Sequence, residues 1–288
     1  MWAPSPHVKP CFFSIMKKTL FILAVMGCTA SAAYNWTASP GSTSYTNEDW
    51  CTRSNWTLDS GDTWNEGKGP GGLGSDMYNK PININNASVF TGVAFESWNL
   101  QLTLTNGARM EDATFKNISG GGYINVGEGC VFSGKQTGWG NANNGTITYT
   151  VADAGALTMF YNHNGNGDGS SVFSLGENGS VNLSSVGQTI GGTNTFIATL
   201  VAPSRGGLSS RVLANVTNLT LKNLTYQFDG WVASTEEITA DNWEAHIGEY
   251  WVSNADNKLT VYYACELISY YWESGDGGWD EKKMDLNG

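Results

Sequence analysis

The chain has 288 residues and a formal net charge of -11, and only 14% of its residues are charged. Its polarity comes mainly from uncharged side chains, among them 28 Asn. The 40% hydrophobic and 12% aromatic content can build a buried core, which argues against intrinsic disorder. The basic residues form no cluster larger than the pairs Lys17-Lys18 and Lys282-Lys283, which argues against a protein that binds nucleic acid electrostatically.

A secretory signal peptide is predicted at residues 16–32. Two lysines follow Met16, and an apolar run extends from Leu20 to Met26. The small residues Ala30-Ser31-Ala32 then form a cleavage site before Ala33. The apolar run is far shorter than the roughly 20 residues of a membrane-spanning helix. We therefore expect translation to start at Met16 and the mature chain to be exported without a transmembrane segment.

Export determines how the cysteines are interpreted. With residues 1–33 assigned to the leader, the mature chain keeps Cys51, Cys130 and Cys265. Three widely spaced cysteines do not make a disulfide framework, and without a C-x-x-C pattern neither structural zinc nor redox chemistry is indicated. The sequence leaves open whether Cys51 pairs with Cys265. The alternative to ordinary cleavage is lipidation at Cys28, which would anchor the protein as a lipoprotein.

The segment 34–80 is rich in tryptophan. Its indole rings belong to Trp36, Trp50, Trp56 and Trp64. We expect these rings to plug the N-terminal end of the fold, because large rings cover an open end well. The alternative is that they are exposed and stack on sugars. The sequence from Trp56 to Trp64 is repeated in similar form from Trp272 to Trp279. Residues 267–288 are therefore either a tail or the start of an incomplete second module.

A repeated pattern between Leu102 and Val181 carries the fold prediction. Each copy has two apolar residues around a third residue, then a short spacer, a glycine and a small residue. The glycines stand 22, 26 and 24 residues apart, at Gly107, Gly129, Gly155 and Gly179. The small residues that follow them are Ala108, Cys130, Ala156 and Ser180. The alternation predicts short strands, and the glycine is expected to make the turn between them. Cys130 is then predicted to be a small residue in the wall of the fold.

Short strands stacked at this period, in a segment where Gly and Asn exclude long helices, predict an all-β fold. The repeats resemble the right-handed parallel β-helix of bacterial secreted proteins and autotransporter passengers. The resemblance covers residues 81–230 and implies a solenoid. The chain shows no C-terminal membrane barrel of the kind that a complete autotransporter carries. A β-sandwich with regularly spaced strands is the alternative fold.

The segment 231–266 is expected to cap the other end of the solenoid. Ser234-Thr235-Glu236-Glu237 fits a capping box before a short helix, with the two glutamates complementing the helix dipole. Lys258 to Tyr263 then reads as a closing strand. A helix and a strand here would cover the backbone groups left unpaired at an open end.

Neither histidine of the mature chain belongs to a recognisable catalytic motif. His163 lies in a loop and His246 on the predicted helix, and the chain contains no G-x-S-x-G or H-E-x-x-H. The segment Asn164-x-Asn166-x-Asp168-Gly169 is similar to the start of a calcium loop. Leu175 stands where such a loop needs its bidentate Glu, which favours a surface turn.

Polysaccharide-active β-helix enzymes are the catalytic alternative. A resemblance to them would imply clustered acids that bind calcium and a basic residue that takes the proton. Within the repeats the only adjacent acids are Glu111 and Asp112, which are expected to point to opposite faces of one strand. The basic residues are scattered at Arg109, Lys116, Lys135, Arg205, Arg211 and Lys222. We therefore expect no catalytic, cofactor-binding or metal-binding residues.

These observations predict a secreted or cell-surface protein with a structural or adhesive role and without catalytic activity. Long, repetitive, weakly charged surfaces rich in Asn and Thr suit display and contact. The expected partners are host or cell-surface glycans or other surface proteins, and nucleic acid is not expected. A carbohydrate-binding module or a polysaccharide-active enzyme remains the alternative.

Overall fold

The computed structural model describes residues 33–41, 43–59, 63–71, 80–96, 99–115, 121–136, 145–162, 169–204 and 206–266. The predicted signal peptide, Cys28 and the segment 267–288 lie outside the described residues. The strands are β1 (Tyr34–Trp36), β2 (Trp56–Leu58), β3 (Pro81–Asn85), β4 (Val89–Thr91), β5 (Ala94–Phe95), β6 (Asn99–Thr105), β7 (Arg109–Phe115), β8 (Gly121–Val126), β9 (Val131–Gln136), β10 (Thr146–Val151), β11 (Ala156–Tyr161), β12 (Ser170–Leu175), β13 (Ser180–Ile190), β14 (Asn194–Ala198), β15 (Gly207–Leu221), β16 (Leu224–Gln227), β17 (Val232–Ala233), β18 (Glu249–Ala255) and β19 (Lys258–Cys265). The described helical segments are α1 (Asn47–Trp50) and 3-10 helices at Arg53–Asn55 and Trp243–His246.

Through the solenoid, successive strands alternate between two sheets. Sheet A has the order β16-β14-β12-β10-β8-β6-β3-β1-β2, and sheet B has the order β17-β18-β19-β15-β13-β11-β9-β7-β4, with β5 also paired to β7. All neighbours are parallel from β3 to β16 in sheet A and from β4 to β15 in sheet B. This topology confirms the predicted parallel β-helix. The sandwich alternative is wrong, because a sandwich is built from antiparallel strands in each sheet.

Aromatic rings stack inside the solenoid from strand to strand. The sheet A stack consists of Tyr149, Phe173 and Phe196, with ring centroids 5.0 and 4.8 Å apart. The sheet B stack consists of Phe95, Phe115 and Phe132, with centroids 5.4 and 5.7 Å apart. In-register parallel pairing places Tyr149 beside Phe173, Phe173 beside Phe196 and Phe95 beside Phe115, so these rings pack on one another. Phe132 lies opposite Met110 and reaches Phe115 diagonally.

The corners between sheet A and sheet B strands use glycine in two different ways. Gly107 and Gly129 have φ values of +76° and +65°, as expected for a turn residue. In the third corner Ala154 takes this conformation, with φ +53°, and Gly155 follows it. A Cβ on Gly155 would lie 3.0 Å from the carbonyl oxygen of Ala152. Close approach of the backbone, rather than positive φ, therefore requires glycine at position 155.

This shift corrects the predicted equivalence of Cys130. Val131 lies opposite Ala156 in the β9–β11 pair, and Ala156 lies opposite Ser180. The residue that stacks on Cys130 is consequently Gly155, which precedes Ala156. Cys130 is fully buried, as a small wall residue should be. The predicted alignment of the repeats was one position off after Cys130. The spacer before the glycine has two residues in the copies of Gly107 and Gly129, but three in the copies of Gly155 and Gly179.

A cluster of aromatic rings closes the N-terminal end of the solenoid. This aromatic cap consists of Trp36, Trp50, Trp56 and Phe90, all buried. Its rings meet mainly edge to face, and the indole Nε1–H of Trp56 donates to the carbonyl of Trp50 at 2.9 Å. Trp64 is half-buried beside the cluster. Trp36, Trp50 and Trp56 are therefore plugs, because a buried ring offers no face to a sugar.

The C-terminal end is closed by β18 and β19, which extend sheet B beyond β15. Strand β19 runs antiparallel to both neighbours, which confirms the predicted closing strand. Of the short helix predicted after Ser234, the described structure contains only the 3-10 helix Trp243–His246, and residues 234–242 form no helix. The Ser234 hydroxyl accepts a hydrogen bond from the Glu236 N–H at 3.3 Å in a local turn, an arrangement that competes with helix formation.

Two tyrosines inside the solenoid predict alkaline unfolding. Burial raises the pKa of Tyr149 to about 12. Burial and the nearby Tyr149 phenol raise the pKa of Tyr161 well above its ordinary value. Because both pKa values are higher in the folded state, this stabilisation is complete below about pH 10 and is lost as the pH rises through about 12.

Circular dichroism along an alkaline titration should therefore show loss of β structure in this interval. Tyr149→Phe should move the midpoint to higher pH, because one buried phenol no longer has to ionise. Tyr262→Phe, on the outer side of β19, is the control and should leave the midpoint in place. An unchanged midpoint in Tyr149→Phe would contradict the prediction.

Candidate functional site

The outer surface of sheet A, which we call the polar face, rests on strands without a single charged residue. None of β1, β2, β3, β6, β8, β10, β12, β14 and β16 contains Asp, Glu, Lys or Arg. Within each strand the apolar residues alternate with polar ones and point to the interior, as in the pattern of β6. The outward positions are held mainly by Thr, Asn, Ser and Gln. The polar face is therefore neutral and rich in hydrogen-bonding groups.

Outward side chains of the polar face form rows that cross the strands. The Asn83 row consists of Asn83, Thr103, Asn125, Thr150, Ser174, Ile197 and Gln227. The Gln101 row, two residues earlier in each strand, consists of Gln101, Tyr123, Thr148, Val172, Thr195 and Thr225. Each row follows from the in-register pairing, because equivalent positions of parallel neighbours lie side by side.

Hydrogen bonds between side chains order these rows. Asn83 Nδ2 donates to Asn35 Oδ1 at 2.9 Å, and Asn125 Nδ2 donates to Thr103 Oγ1 at 3.3 Å. At the other end of the sheet, the hydroxyls of Thr195 and Thr225 lie 2.8 Å apart. Such bonds restrict the rotamers before any ligand arrives, so the array is partly preorganised.

The outer surface of sheet B has a different character. It carries charged side chains, including Arg109 and Glu111, which form an ion pair at 2.8 Å. The ammonium of Lys135 lies 5.5 Å from the ring centroid of Phe160. Sheet B therefore differs from the polar face in its charged strands β7 and β9, whereas its strands β11 and β13 contain no charged residue.

A shallow groove of about 660 Å³ lies on sheet B where β13 and β15 meet the β18–β19 turn. Its lining includes Asn218, Asn254, Asn257 and one carboxylate, Asp256, with no other ionisable side chain. The register shift of the β13–β15 pair, between Ser184 and Gln188, spans the lining residues Val186 and Gly187. The groove offers no partner group for Asp256 in acid–base chemistry.

His246 in the C-terminal cap contacts three polar side chains. Its Nδ1 lies 2.8 Å from Glu249 Oε2, and its Nε2 lies 3.2 Å from Glu236 Oε1. The Ser234 hydroxyl approaches the same Nδ1 at 3.3 Å. A serine triad needs a ring nitrogen that is free to accept the proton of the hydroxyl, but here the Glu249 carboxylate occupies Nδ1, the nitrogen that Ser234 approaches. The cluster therefore ties the loop after β17 to β18, and Glu236 serves this contact rather than a helix terminus.

The structure corrects the predicted geometry of Glu111 and Asp112. Strand β7 has a bulge between Met110 and Ala113, with φ +52° at Asp112. The bulge leaves the buried positions to Met110 and Ala113, so both acids lie on the outer side rather than on opposite faces. Glu111 is held in its ion pair with Arg109.

The other predicted basic residues do not converge on an acidic cluster. Arg211 is half-buried and donates to the carbonyls of Thr199 and Gly176, and burial lowers the pKa of its guanidinium. Lys135 lies on sheet B, and Lys222 is exposed at the end of β15. The candidates outside the described residues are Lys116, His163, Asn164, Asn166, Asp168 and Arg205.

Cys51 and Cys130 are free thiols. Cys51 follows α1 at the N-terminal end and Cys265 ends β19 at the other end, so they cannot form a disulfide, which needs Cα atoms within about 7 Å. Burial raises the pKa of the Cys51 and Cys130 thiols. Both thiols are therefore protonated near neutral pH and weak nucleophiles.

Within the described ranges, no group of three or more His, Cys, Asp or Glu side chains is arranged to hold a metal ion. That part of the chain also contains no helix with the length and apolar character to cross a membrane. The chain matches no protein-family model, no curated protein and no solved structure at a significant level. The chemistry of its own surface is therefore the basis for a functional proposal.

The polar face was not predicted, although part of its signal is present in the sequence. Strands before the corners alternate apolar residues with Thr, Asn or Ser, as in Thr146–Val151. Strands after the corners carry the charges, such as Arg109 and Lys135. Sorting the strands by their place before or after each corner would have grouped the uncharged strands of sheet A, although β11 and β13 after the corners are uncharged as well.

Proposed function

We propose that this protein is a secreted or cell-surface β-solenoid with a structural or adhesive role and without catalytic activity. The supporting observation is the polar face, a neutral array of hydrogen-bonding side chains across nine strands. The signal-peptide pattern at residues 16–32 and the resemblance of the repeats to autotransporter passengers support export. Host or cell-surface glycans or other surface proteins are the partners that this role implies.

Adhesion through such a face draws on many weak contacts. Each Thr or Asn side chain can both donate and accept hydrogen bonds. Repetition across the strands keeps unbound groups of a polymeric partner close to the surface after the first contact, which raises their effective concentration. The hydrogen bonds within the rows lower the entropy cost of ordering the side chains.

A matched pair of lysine substitutions tests the proposal. Thr150 in β10 faces outward on sheet A, and Thr158 in β11 faces outward on sheet B. Beads coated with the chain from Ala33 to Gly288 should be retained on a surface printed with purified glycans and extracellular proteins. Thr150→Lys should lower retention by at least about tenfold, because the contact would desolvate an unpaired ammonium. Thr158→Lys should leave retention unchanged.

Circular dichroism must first show that both variants fold. Equal loss of retention in the two variants, or no retention of the folded wild-type protein, would contradict the proposal. Appearance of new reducing ends in the printed polysaccharides would instead establish the enzymatic alternative.

A further inference from the structure

The charge of the chain restricts the polymers that the polar face can bind. The net charge is -11, and the strands beneath the face supply no cation. An acidic polysaccharide would be repelled at long range and would find no ion pair on contact. A neutral polymer meets neither penalty, so the charge distribution favours an uncharged ligand.

The spacing of the rows favours a repeating ligand over a compact one. Neighbouring strands lie about 4.8 Å apart, which is comparable to the length of one sugar ring in an extended chain. The in-register pairing continues through seven parallel strands, from β3 to β16. A polymer that lies along a row can therefore repeat its contacts from strand to strand, whereas a folded protein surface has no such period.

The side chains of the two rows match the two kinds of surface on a sugar. Asn125, Thr148 and Thr150 supply donors and acceptors for hydroxyl groups. Tyr123 and Val172 in the Gln101 row supply apolar surface for the C–H face of a ring. The rows are about 6.6 Å apart along each strand, so one chain can touch both.

We infer that the polar face binds a neutral, hydroxyl-rich polysaccharide, with one extended chain lying across β8 to β14 between the Asn83 row and the Gln101 row. This inference rests on the proposed function and specifies its ligand. It locates the binding site on sheet A rather than at the tryptophans of the aromatic cap, which are buried.

Calorimetric titration of the chain from Ala33 to Gly288 with neutral gluco-, xylo- and manno-oligosaccharides tests the inference. Oligogalacturonates of equal length are the acidic controls. For a neutral series, affinity should rise at least about tenfold from disaccharide to hexasaccharide, because the longer chain spans more strands. It should change little with salt, since no ion pair forms. Thr150→Lys should lower affinity at least about tenfold, and Thr158→Lys should not.

A second pair of variants tests the apolar part of the site. Tyr123→Ala should weaken binding of the hexasaccharide, whereas Tyr123→Phe should preserve it, because the ring face remains. Equal weakening in both variants would contradict ring stacking at this position and overturn the two-row site.

The outcomes separate this inference from the proposed function. Bead retention on printed proteins that depends on Thr150, without binding of any neutral saccharide series, would overturn the inference and leave the proposed function in place. Salt-sensitive binding of oligogalacturonates would also overturn the inference alone. Saccharide binding that survives Thr150→Lys would place the site elsewhere and overturn both.

Discussion

Trp50→Ala is expected to lower the free energy of unfolding by about 4 kcal/mol, the usual cost of truncating a fully buried tryptophan. Trp50 is 1% exposed, and its ring centroid lies 6.4 Å from that of Trp36, 4.7 Å from that of Trp56 and 5.4 Å from that of Phe90. Its Nε1–H donates to the carbonyl of Pro70 at 3.1 Å. The substitution would leave a cavity and an unpaired carbonyl at the end of the solenoid.

Urea unfolding followed by circular dichroism measures this loss. The matched control is Trp251→Ala, because Trp251 is half-buried on the outer side of β18, where it meets Tyr262 at 5.9 Å. We expect the control to cost about 1 kcal/mol, in the range of an ordinary substitution. Similar losses in the two variants would show that the aromatic cap does not plug the core.

Gly122→Ala is expected to cost about 3 kcal/mol, because backbone strain and overpacking both contribute. Gly122 has φ +133°, a conformation that residues with a Cβ rarely adopt. A Cβ at this position would lie 2.1 Å from the carbonyl oxygen of Leu100. Leu100 lies opposite Gly122 in the neighbouring strand β6, so the backbone of sheet A would have to move.

Gly129→Ala is the matched control for this prediction. Gly129 also has positive φ, +65°, but no atom lies within 4 Å of the position that a Cβ would take. Its substitution should therefore cost only the strain of a left-handed residue, about 1 kcal/mol. Chemical unfolding of both variants measures the difference. A cost for Gly122→Ala no larger than that for Gly129→Ala would contradict the close contact with Leu100.

At the corners between sheet A and sheet B strands, the local sequence pattern predicts the role of some glycines and not of others. The roles of Gly107 and Gly129 could be predicted, because positive φ is a property of the turn itself. The role of Gly155 could not, because its neighbours include the carbonyls of Val126 and Gly127 in the preceding coil, at 3.2 and 3.1 Å from the position of a Cβ. A repeat alignment contains no information on contacts between coils.

The C-terminal cap shows a local signal that the fold overrides. The sequence after Ser234 satisfies a helix-capping pattern, yet residues 234–242 form a loop and helical structure is limited to the 3-10 helix Trp243–His246. Glu236 contacts His246, and His246 contacts Glu249 at the start of β18. These contacts hold the loop against the strand. Glu236 therefore pairs with a residue ten positions away instead of with the backbone of its own segment. Intrinsic helix propensity is too weak to resist such tertiary contacts.

The all-β class and the period of the repeat could be predicted from the residues alone, whereas the burial of Trp36, Trp50 and Trp56 became known only from the fold. Alternation of apolar residues decides which side of each strand is buried, and it acts over a few residues. Which strands share a sheet, and therefore which uncharged strands lie side by side, follows from the folded arrangement of the whole chain. Their neighbours are set by backbone hydrogen bonds between segments separated by a whole repeat, as between Tyr149 and Phe173. The polar face exists only once those segments are in register.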